Sequence, residues 1–427
     1  MTGIRELVKP DRVHRSVYLD ESIFEMEMER IYGRAWIYVG HASQVPEPGD
    51  FLTTRIGRQP VVLSRHEDGE IYVLFNRCGH RGAVVCNEAH GNARHFRCCY
   101  HGWTFHLNGL IKAVPLQAGY SRDVDFDDPS LGMVRVPRTD THRGFVFASL
   151  APDGPTLAEY LGPMTRKIDD ICDRSPAGEV EVTGGVHRYE FPGNWKAQME
   201  NLNDLYHVPH SHESTTSGGR QFRRTGTATG SRLTRKDGSP ISFWDRTGVW
   251  AFDGGHSYCG RMPDAGPVSR EEHPDYVAAL EARLGPERAA EVLDADWHNA
   301  IIYPNLGLQS MAQHIRVIRP ISVDRTEVLV YPMKLRDAPD VLNRTVIRYL
   351  NVTHAAASLI QTDDLEAFGR LQRGLPADGS EWVFLGRGLG AEQPLEDDFG
   401  YRSEGTHELP LRNQYREWLS YMGEGAN

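Results

Sequence analysis

Basic side chains are the scarcer charge in this 427-residue chain: 47 Lys and Arg stand against 58 Asp and Glu, for a net charge of −11. The basic residues are scattered, which excludes a phosphate-neutralising nucleic-acid surface and an electrostatic membrane anchor. Long apolar runs are missing. No stretch approaches the ~18 apolar residues that span a bilayer, and the opening MTGIRELVKPDRVHRS has no apolar leader core. Six cysteines are too few for a disulfide scaffold, and there is neither an internal repeat nor a low-complexity segment. What remains, 40% hydrophobic and 25% charged residues, is the make-up of a globular protein with a real core, in about two or three domains at ~150 residues each. These features predict a cytoplasmic, reduced protein with no nucleic-acid and no membrane partner.

The texture changes along the chain. DESIFEMEMERIYGRAW (20–36) has helical apolar spacing, with Asp20 as N-cap. From Trp36 to about Leu150, short β-branched and aromatic runs alternate with turns, and Asp68-Gly69 and Asn108-Gly109 mark hairpins. This predicts an all-β domain. After Ala151-Pro152-Asp153-Gly154-Pro155 the pattern is mixed, with helical segments such as NWKAQMENLNDLYHV and strands such as HIRVIRPI. Ser211 to Pro240 reads as a loop rich in Ser, Thr, Gly and Arg.

Two constellations carry chemistry. The first is Cys78-Gly79-His80 and, seventeen residues on, Cys98-Cys99-Tyr100-His101. Zinc fingers usually open with C-x-x-C and close with two histidines. Here each loop offers one thiolate and one imidazole, the donor set of a [2Fe–2S] cluster in which one iron takes two thiolates and the other two imidazoles. A structural zinc site is the alternative. The second constellation is NWKAQMENLNDLYHVPHSH (194–212). On one helix Glu200, Asp204 and His207 share a face, and Pro209 ends that helix, leaving His210 and His212 on the exit turn. Two histidines and a carboxylate from elsewhere make a facial triad on Fe(II) that leaves positions open. Asp363 and Asp364, adjacent on a later helical segment, point ~100° apart, so only one of them can face a metal.

CGHRGA with CCYHGWTF resembles the Rieske cluster motif of ring-hydroxylating oxygenases, and N-W-K…E-N…D-x-Y-H…H resembles the mononuclear-iron motif of the same family. The resemblance covers nearly the whole chain and implies the large (α) subunit of a Rieske non-heme iron aromatic ring-hydroxylating oxygenase. Ala83 and Tyr100 stand where respiratory Rieske proteins carry an extra disulfide cysteine. The implied fold class is α+β: an all-β Rieske domain plus a mixed α/β catalytic domain with an antiparallel sheet surrounded by helices. Its expected divisions are 1–36 (an N-terminal helix belonging to the catalytic domain), 37–155 (Rieske) and 156–427 (catalytic). Cys78, His80, Cys98 and His101 would hold the [2Fe–2S] cluster. His207, His212 and Asp364 would hold a mononuclear Fe(II), with His210 and Asp363 as competitors. Asp204 would be the aspartate that bridges to the cluster of a neighbouring chain, most directly to its His101, in a homotrimer with or without a small β subunit.

The resemblance further implies dioxygen and a small aromatic substrate, with electrons from NAD(P)H through a separate reductase and in some systems a ferredoxin. The chain has no G-x-G-x-x-G unit after a strand to bind the nicotinamide itself. Overall proportions and the QRG that ends the Asp-Asp helix look most like members acting on benzoate-, salicylate- or terephthalate-type acids. Pocket walls are expected among Glu200, Asn201, Leu202, Val208, Ile302, Leu306, Leu308, Val352 and Leu359. Arg316 is either the cation that grips a substrate carboxylate or a structural arginine. A monooxygenase or O/N-demethylase on the same scaffold is the alternative activity, and a non-catalytic Rieske electron carrier the alternative class.

Overall fold

The structure, a computed structural model, describes residues 3–182, 185–213, 233–234, 240–241, 243–261, 270–310, 312–396 and 400–423. Most of the loop expected at Ser211–Pro240 lies outside the described residues. Two compact units are present: residues 28–160 with 181–184, and residues 1–27, 161–180 and 185–427.

The first unit is built of antiparallel sheets. Its four-stranded sheet runs Ile71–Phe75, Gln59–Arg65, Asp50–Ile56, His90–Asn92. The second strand buries Val61, Val62, Leu63 and Ser64 in succession, the pattern of a strand covered on both faces. A second sheet joins Arg138–His142, Phe145–Ser149 and Ile37–His41. A small third sheet joins Ile111–Ala113, Thr104–Phe105 and Phe96–Arg97. Phe51, Val62, Leu74, Phe96, Trp103 and Phe105 form one apolar core, and Cys78 and Cys98 sit at its edge, both buried.

The second unit is organised on a long antiparallel sheet in the order Arg325–Leu335, His314–Ser322, Leu306–Gln309, Trp297–Ile302, Ser257–Gly260, Val249–Phe252, Gly400–Ser403, Gln393–Pro394, with His187–Phe191 also paired to the first of these. The helices of this unit include Trp195–Leu202, Asp340–Thr353, Gln361–Gly374 and Leu409–Gly423. The expected α+β arrangement is therefore found. Among the described residues no helix is long and apolar enough to cross a membrane.

One buried network ties distant segments to the Trp195–Leu202 helix. The Glu27 carboxylate accepts from Trp195 Nε1 (2.8 Å), Lys196 Nζ (2.6 Å) and Trp418 Nε1 (2.6 Å). Three donors on one carboxylate satisfy a buried ion pair that would otherwise be costly.

The expected helix across residues 194–207 breaks early. It spans Trp195–Leu202, capped by Asn194, whose side chain accepts from Lys196 N. A separate short helix, Val208–Ser211, follows with Pro209 in its first turn. Proline lacks only an amide hydrogen that the first turn leaves unused, so Pro209 starts a helix here rather than ending one. Asn203 fixes the break by donating its side-chain amide to Ser257 Oγ at 2.9 Å. Glu200, Asp204 and His207 consequently do not share one helix face.

Candidate functional site

The two cysteine loops of the all-β unit repeat one backbone design. Cys78 N donates to Ala83 O (2.8 Å) and Gly82 N to Cys78 O (2.9 Å); Cys98 N donates to Trp103 O (2.8 Å) and Gly102 N to Cys98 O (3.1 Å). The glycine of each loop has φ near +75° (78° at Gly82, 74° at Gly102), a left-handed conformation that glycine alone adopts freely. The loops bring the Cys78 and Cys98 thiols into contact, and burial pushes the Cys78 thiol pKa up. His80 and His101 stand 4.6 Å apart between ring centroids, and His80 stacks on Trp103 at 5.0 Å. His80 Nδ1 is buried without a partner. Two paired thiols and two adjacent imidazoles fit a [2Fe–2S] cluster. Cys99 is exposed, turned away from the buried thiols.

In the second unit His207, His212 and Asp364 offer one ligand atom each, all within 4.8 Å of one another. Asp364 Oδ1 lies 3.5 Å from His207 Nε2 and 3.3 Å from His212 Nε2. Three donors converge from three elements: the segment after the Trp195–Leu202 helix, the end of the short helix, and the first turn of Gln361–Gly374. This set fits a facial two-histidine, one-carboxylate iron site. The other ring nitrogens face carboxylates, but only that of His212 is hydrogen-bonded among the described residues. Asp204 Oδ2 is 3.4 Å from His207 Nδ1, and Asp363 Oδ2 is 3.2 Å from His212 Nδ1. Burial works against a charged His212, but Asp364 and Asp363 outweigh it and hold its pKa above the ordinary value. The adjacent aspartates thus stand differently: Asp364 faces the other candidate ligand atoms, while Asp363 is hydrogen-bonded to the far nitrogen of His212. His210, the competing histidine, is exposed.

The expected pocket walls divide. The Asn201 amide donates to Asp364 Oδ1 and lies 3.1 Å from both that oxygen and His207 Nε2, at the heart of the site. Leu202 packs over the neighbouring sheet: a Cβ on Gly307 would meet its Cδ1 at 2.8 Å, so only glycine permits the helix to approach there. Val208 is partly buried in the short helix that follows His207. Five expectations, and Glu200 with them, need correction. By strand register Leu306, Leu308 and Ile302 lie on the opposite sheet face from Gly307 and Arg316, away from the Trp195–Leu202 helix. Val352 and Leu359 are 52% and 60% exposed rather than enclosed. Glu200 accepts hydrogen bonds from Tyr18 (2.8 Å) and Tyr415 (2.5 Å), so its carboxyl is committed to the packing of helix against helix.

Burial pushes the Glu200 pKa up to about 7, against the lowering effect of the two tyrosines. A carboxyl raised in the folded state stabilises below its unfolded pKa, and that contribution is lost as pH rises through the folded value. Wild-type stability is therefore expected to fall by about 3 kcal/mol between pH 4.5 and 8 on this account. Glu200→Gln should flatten that part of the profile, which thermal melts from pH 5 to 8.5 will check. A variant whose melting temperature keeps the wild-type pH dependence would remove Glu200 as its source.

Sequence reasoning missed a polar cluster around Arg316. Arg316 is 5% exposed, its Nε is buried without a partner, and among the described residues it forms no hydrogen bond or ion pair. It shares a sheet face with His314 and Gln309, since Gly307 opposes Arg316 and Gln309 opposes His314. Gln309 Nε2 is 3.3 Å from His298 Nε2 and 3.4 Å from His354 Nε2. Burial lowers the pKa of all three histidines, to about 4 for His298 and well below the usual value for His314 and His354, and Arg316 is the strongest charge acting on each. The Tyr189 hydroxyl, buried without a partner among the described residues, lies within the fields of both Arg316 and Asp364. The signal available in sequence was His314 and Arg316 alternating with apolar residues in the strand HIRVIRPI.

A chain with a paired Cys–His cluster site on a β unit and a two-histidine, one-carboxylate site beside a large antiparallel sheet has the architecture of a two-centre iron oxygenase. Comparison with known proteins agrees. Residues 35–127 match the Rieske [2Fe-2S] domain, and residues 181–424 match the ring hydroxylating alpha subunit (catalytic domain). The chain is 35% identical to the 2-halobenzoate 1,2-dioxygenase large subunit of Burkholderia cepacia, over 88% of this chain and 80% of that one. It is 32% identical to the anthranilate 1,2-dioxygenase large subunit of Acinetobacter baylyi, over 97% and 90% respectively. The structure of naphthalene 1,2-dioxygenase from Rhodococcus sp. bound to indole superposes with a TM-score of 0.82 at 26% identity, covering 97% of this chain and 95% of that one. The chain belongs to the ring-hydroxylating oxygenase alpha-subunit family. It is accordingly an enzyme of the ring-hydroxylating dioxygenase class, whose cofactors are a Rieske cluster and a mononuclear iron, and the electron-carrier and zinc-protein readings fall.

Proposed function

We propose that this oxygenase hydroxylates an aromatic acid, with Cys78, His80, Cys98 and His101 holding the [2Fe–2S] cluster and His207, His212 and Asp364 holding the mononuclear Fe(II). The observation that carries the reading is the convergence of those last three ligand atoms within 4.8 Å. The chemistry the groups supply when bound is one-electron transfer at the cluster and activation of dioxygen at the iron. The chain's own residues do the positioning. Asp363 fixes the ring orientation of His212 from its far nitrogen, Asp204 stands 3.4 Å from the far nitrogen of His207, Asn201 tethers Asp364, and Arg316 receives the substrate carboxylate as a bidentate fork. Support for an acid comes from the buried Arg316, unpaired among the described residues, and from relatives named for 2-halobenzoate, toluate and anthranilate.

Asp204 is also placed, on this reading, to pass electrons from the cluster of a neighbouring chain, in a head-to-tail trimer supplied by a reductase with or without a ferredoxin, and with or without a small β subunit. Residues 37–155 and 156–427, with the helix in 1–36 joined to the latter, are its proposed domains, working in the cytoplasm. The test is turnover of aromatic acids by iron-loaded enzyme with reductase, NAD(P)H and ¹⁸O-labelled dioxygen. Two labelled oxygens in the product are expected. A single label would make it a monooxygenase or demethylase. Absence of turnover on every aromatic acid, with three irons per chain present, would overturn the reading.

A further inference from the structure

We infer that a cavity between the N-terminal hairpin and the C-terminal helix binds an aliphatic carboxylate, at a site separate from the iron ligands. The tail RNQYREWLSYMG contributes no candidate metal ligand and lies within the helix Leu409–Gly423. Leu409, Arg412, Arg416 and Leu419 succeed one another at steps of three or four, so they share a helix face. That face closes a cavity of about 460 Å³, whose other walls come from the paired strands Val8–Lys9 and Arg12–His14, from Leu385, Leu389 and Glu392, and from Tyr401. The volume suits a small organic ligand. None of His207, His212 and Asp364 lines it.

The walls select by two properties. Aliphatic side chains predominate, with Val8, Pro10 and four leucines against two tyrosines, so an alkyl chain gains by burial there without needing a ring. Leu389 and Tyr401 are 48% and 40% exposed, which leaves part of this apolar wall within reach of solvent. The second property is charge: Lys9, Arg12, Arg412 and Arg416 stand against one carboxylate, Glu392. Arg412 is taken up by Glu392 and by the Leu385 and Arg387 carbonyls, and Arg12 pairs with Asp11 at 2.5 Å. Lys9 Nζ lies 4.2 Å over the Trp382 ring, and Arg416 donates to Asn413 Oδ1 at 2.8 Å. Among the described residues neither of these two forms an ion pair with a carboxylate. An apolar cavity rimmed by two uncompensated cations complements a ligand with an alkyl body and one negative head. Tyr415 joins the cavity to the iron-site helix, since it lines the wall and donates its hydroxyl to Glu200 at 2.5 Å.

Equilibrium dialysis of the iron-loaded enzyme against octanoate, octanol and butanoate tests the site without turnover. Wild type should bind octanoate at least ~10-fold more tightly than octanol, for the charge, and at least ~10-fold more tightly than butanoate, for the chain. Replacing both cations, Lys9→Met with Arg416→Met, should bring octanoate and octanol within about threefold of each other. Leu389→Asp, which sets a carboxylate in the wall, should weaken octanoate ~10-fold or more. Lys9, Arg416 and Leu389 are exposed, and cluster absorption with the melting temperature reports that each variant is folded. Should one variant fail to fold, the other and the wild-type ratios decide. No binding of octanoate at ~1 mM, equal binding of octanol, equal binding of butanoate, or octanoate affinity unchanged in both variants overturns the inference.

Discussion

Replacing Asp364 with alanine is expected to strip the mononuclear iron and reduce turnover by roughly 1,000-fold or more, about 4 kcal/mol of transition-state stabilisation, while the cluster keeps its visible absorption. The expectation follows from where the carboxylate stands: its Oδ1 is 3.3 Å from His212 Nε2 and 3.5 Å from His207 Nε2. Removing it leaves two imidazoles, too few for a facial site. Asp363→Ala separates the neighbours. Among the described residues the Asp363 carboxylate pairs with the far nitrogen of His212 alone, so its loss should cost ~10–100-fold in iron affinity or activity, the usual effect of removing a carboxylate behind a histidine ligand. Iron analysis and steady-state turnover on the two variants decide. Full activity in Asp364→Ala with an inactive Asp363→Ala would reverse the assignment.

Cys78→Ser should do the opposite: the visible spectrum and acid-labile sulfide disappear, iron falls from three atoms per chain to one, and turnover stops for want of electrons. Cys78 and Cys98 are in side-chain contact and buried, and a hard serine oxygen is a poor exchange for a soft thiolate. The backbone of the loop does not depend on the sulfur, since Cys78 N and O bond Ala83 and Gly82 through the main chain. The all-β unit should therefore stay folded, which circular dichroism will report. Retention of the cluster spectrum in Cys78→Ser would mean that another residue supplies the ligand.

The geometry of the two candidate metal sites was largely legible because its grammar is local. C-x-H and C-x-x-H each fit within one tight loop, and the convergence of the two loops is the same backbone design used twice. His207 and His212 were legible for the same reason, though the path between them was not. The sequence reading carried the helix through to His207 because apolar spacing continued, whereas Asn203 diverts the chain through a bond to Ser257, 54 positions away. Pro209 shows the ambiguity of proline, which suits a helix start as well as a helix stop.

The pocket was the least legible part. Leu306, Leu308 and Ile302 are as apolar as pocket walls should be, but the face they occupy is set by register with strands far along the chain. Glu200 sits one residue from Asn201, yet the two side chains serve different surfaces of the helix. His298 and His354, which feel the charge of Arg316, come from parts of the chain that no local pattern ties to it.

Glu27, Glu200 and their donors also carry a consequence for biosynthesis. Residues 28–160 contain every strand of the three sheets of the cluster-bearing unit, so the sheets around Cys78 and Cys98 have their partners early in translation. Tyr415 and Trp418, which bond Glu200 and Glu27, emerge almost last. Until they do, the Trp195–Leu202 helix that presents Asn201 lacks two of its buried anchors. Domains generally fold in the order they leave the ribosome, and here that order makes the electron relay ready before the site that handles oxygen can close.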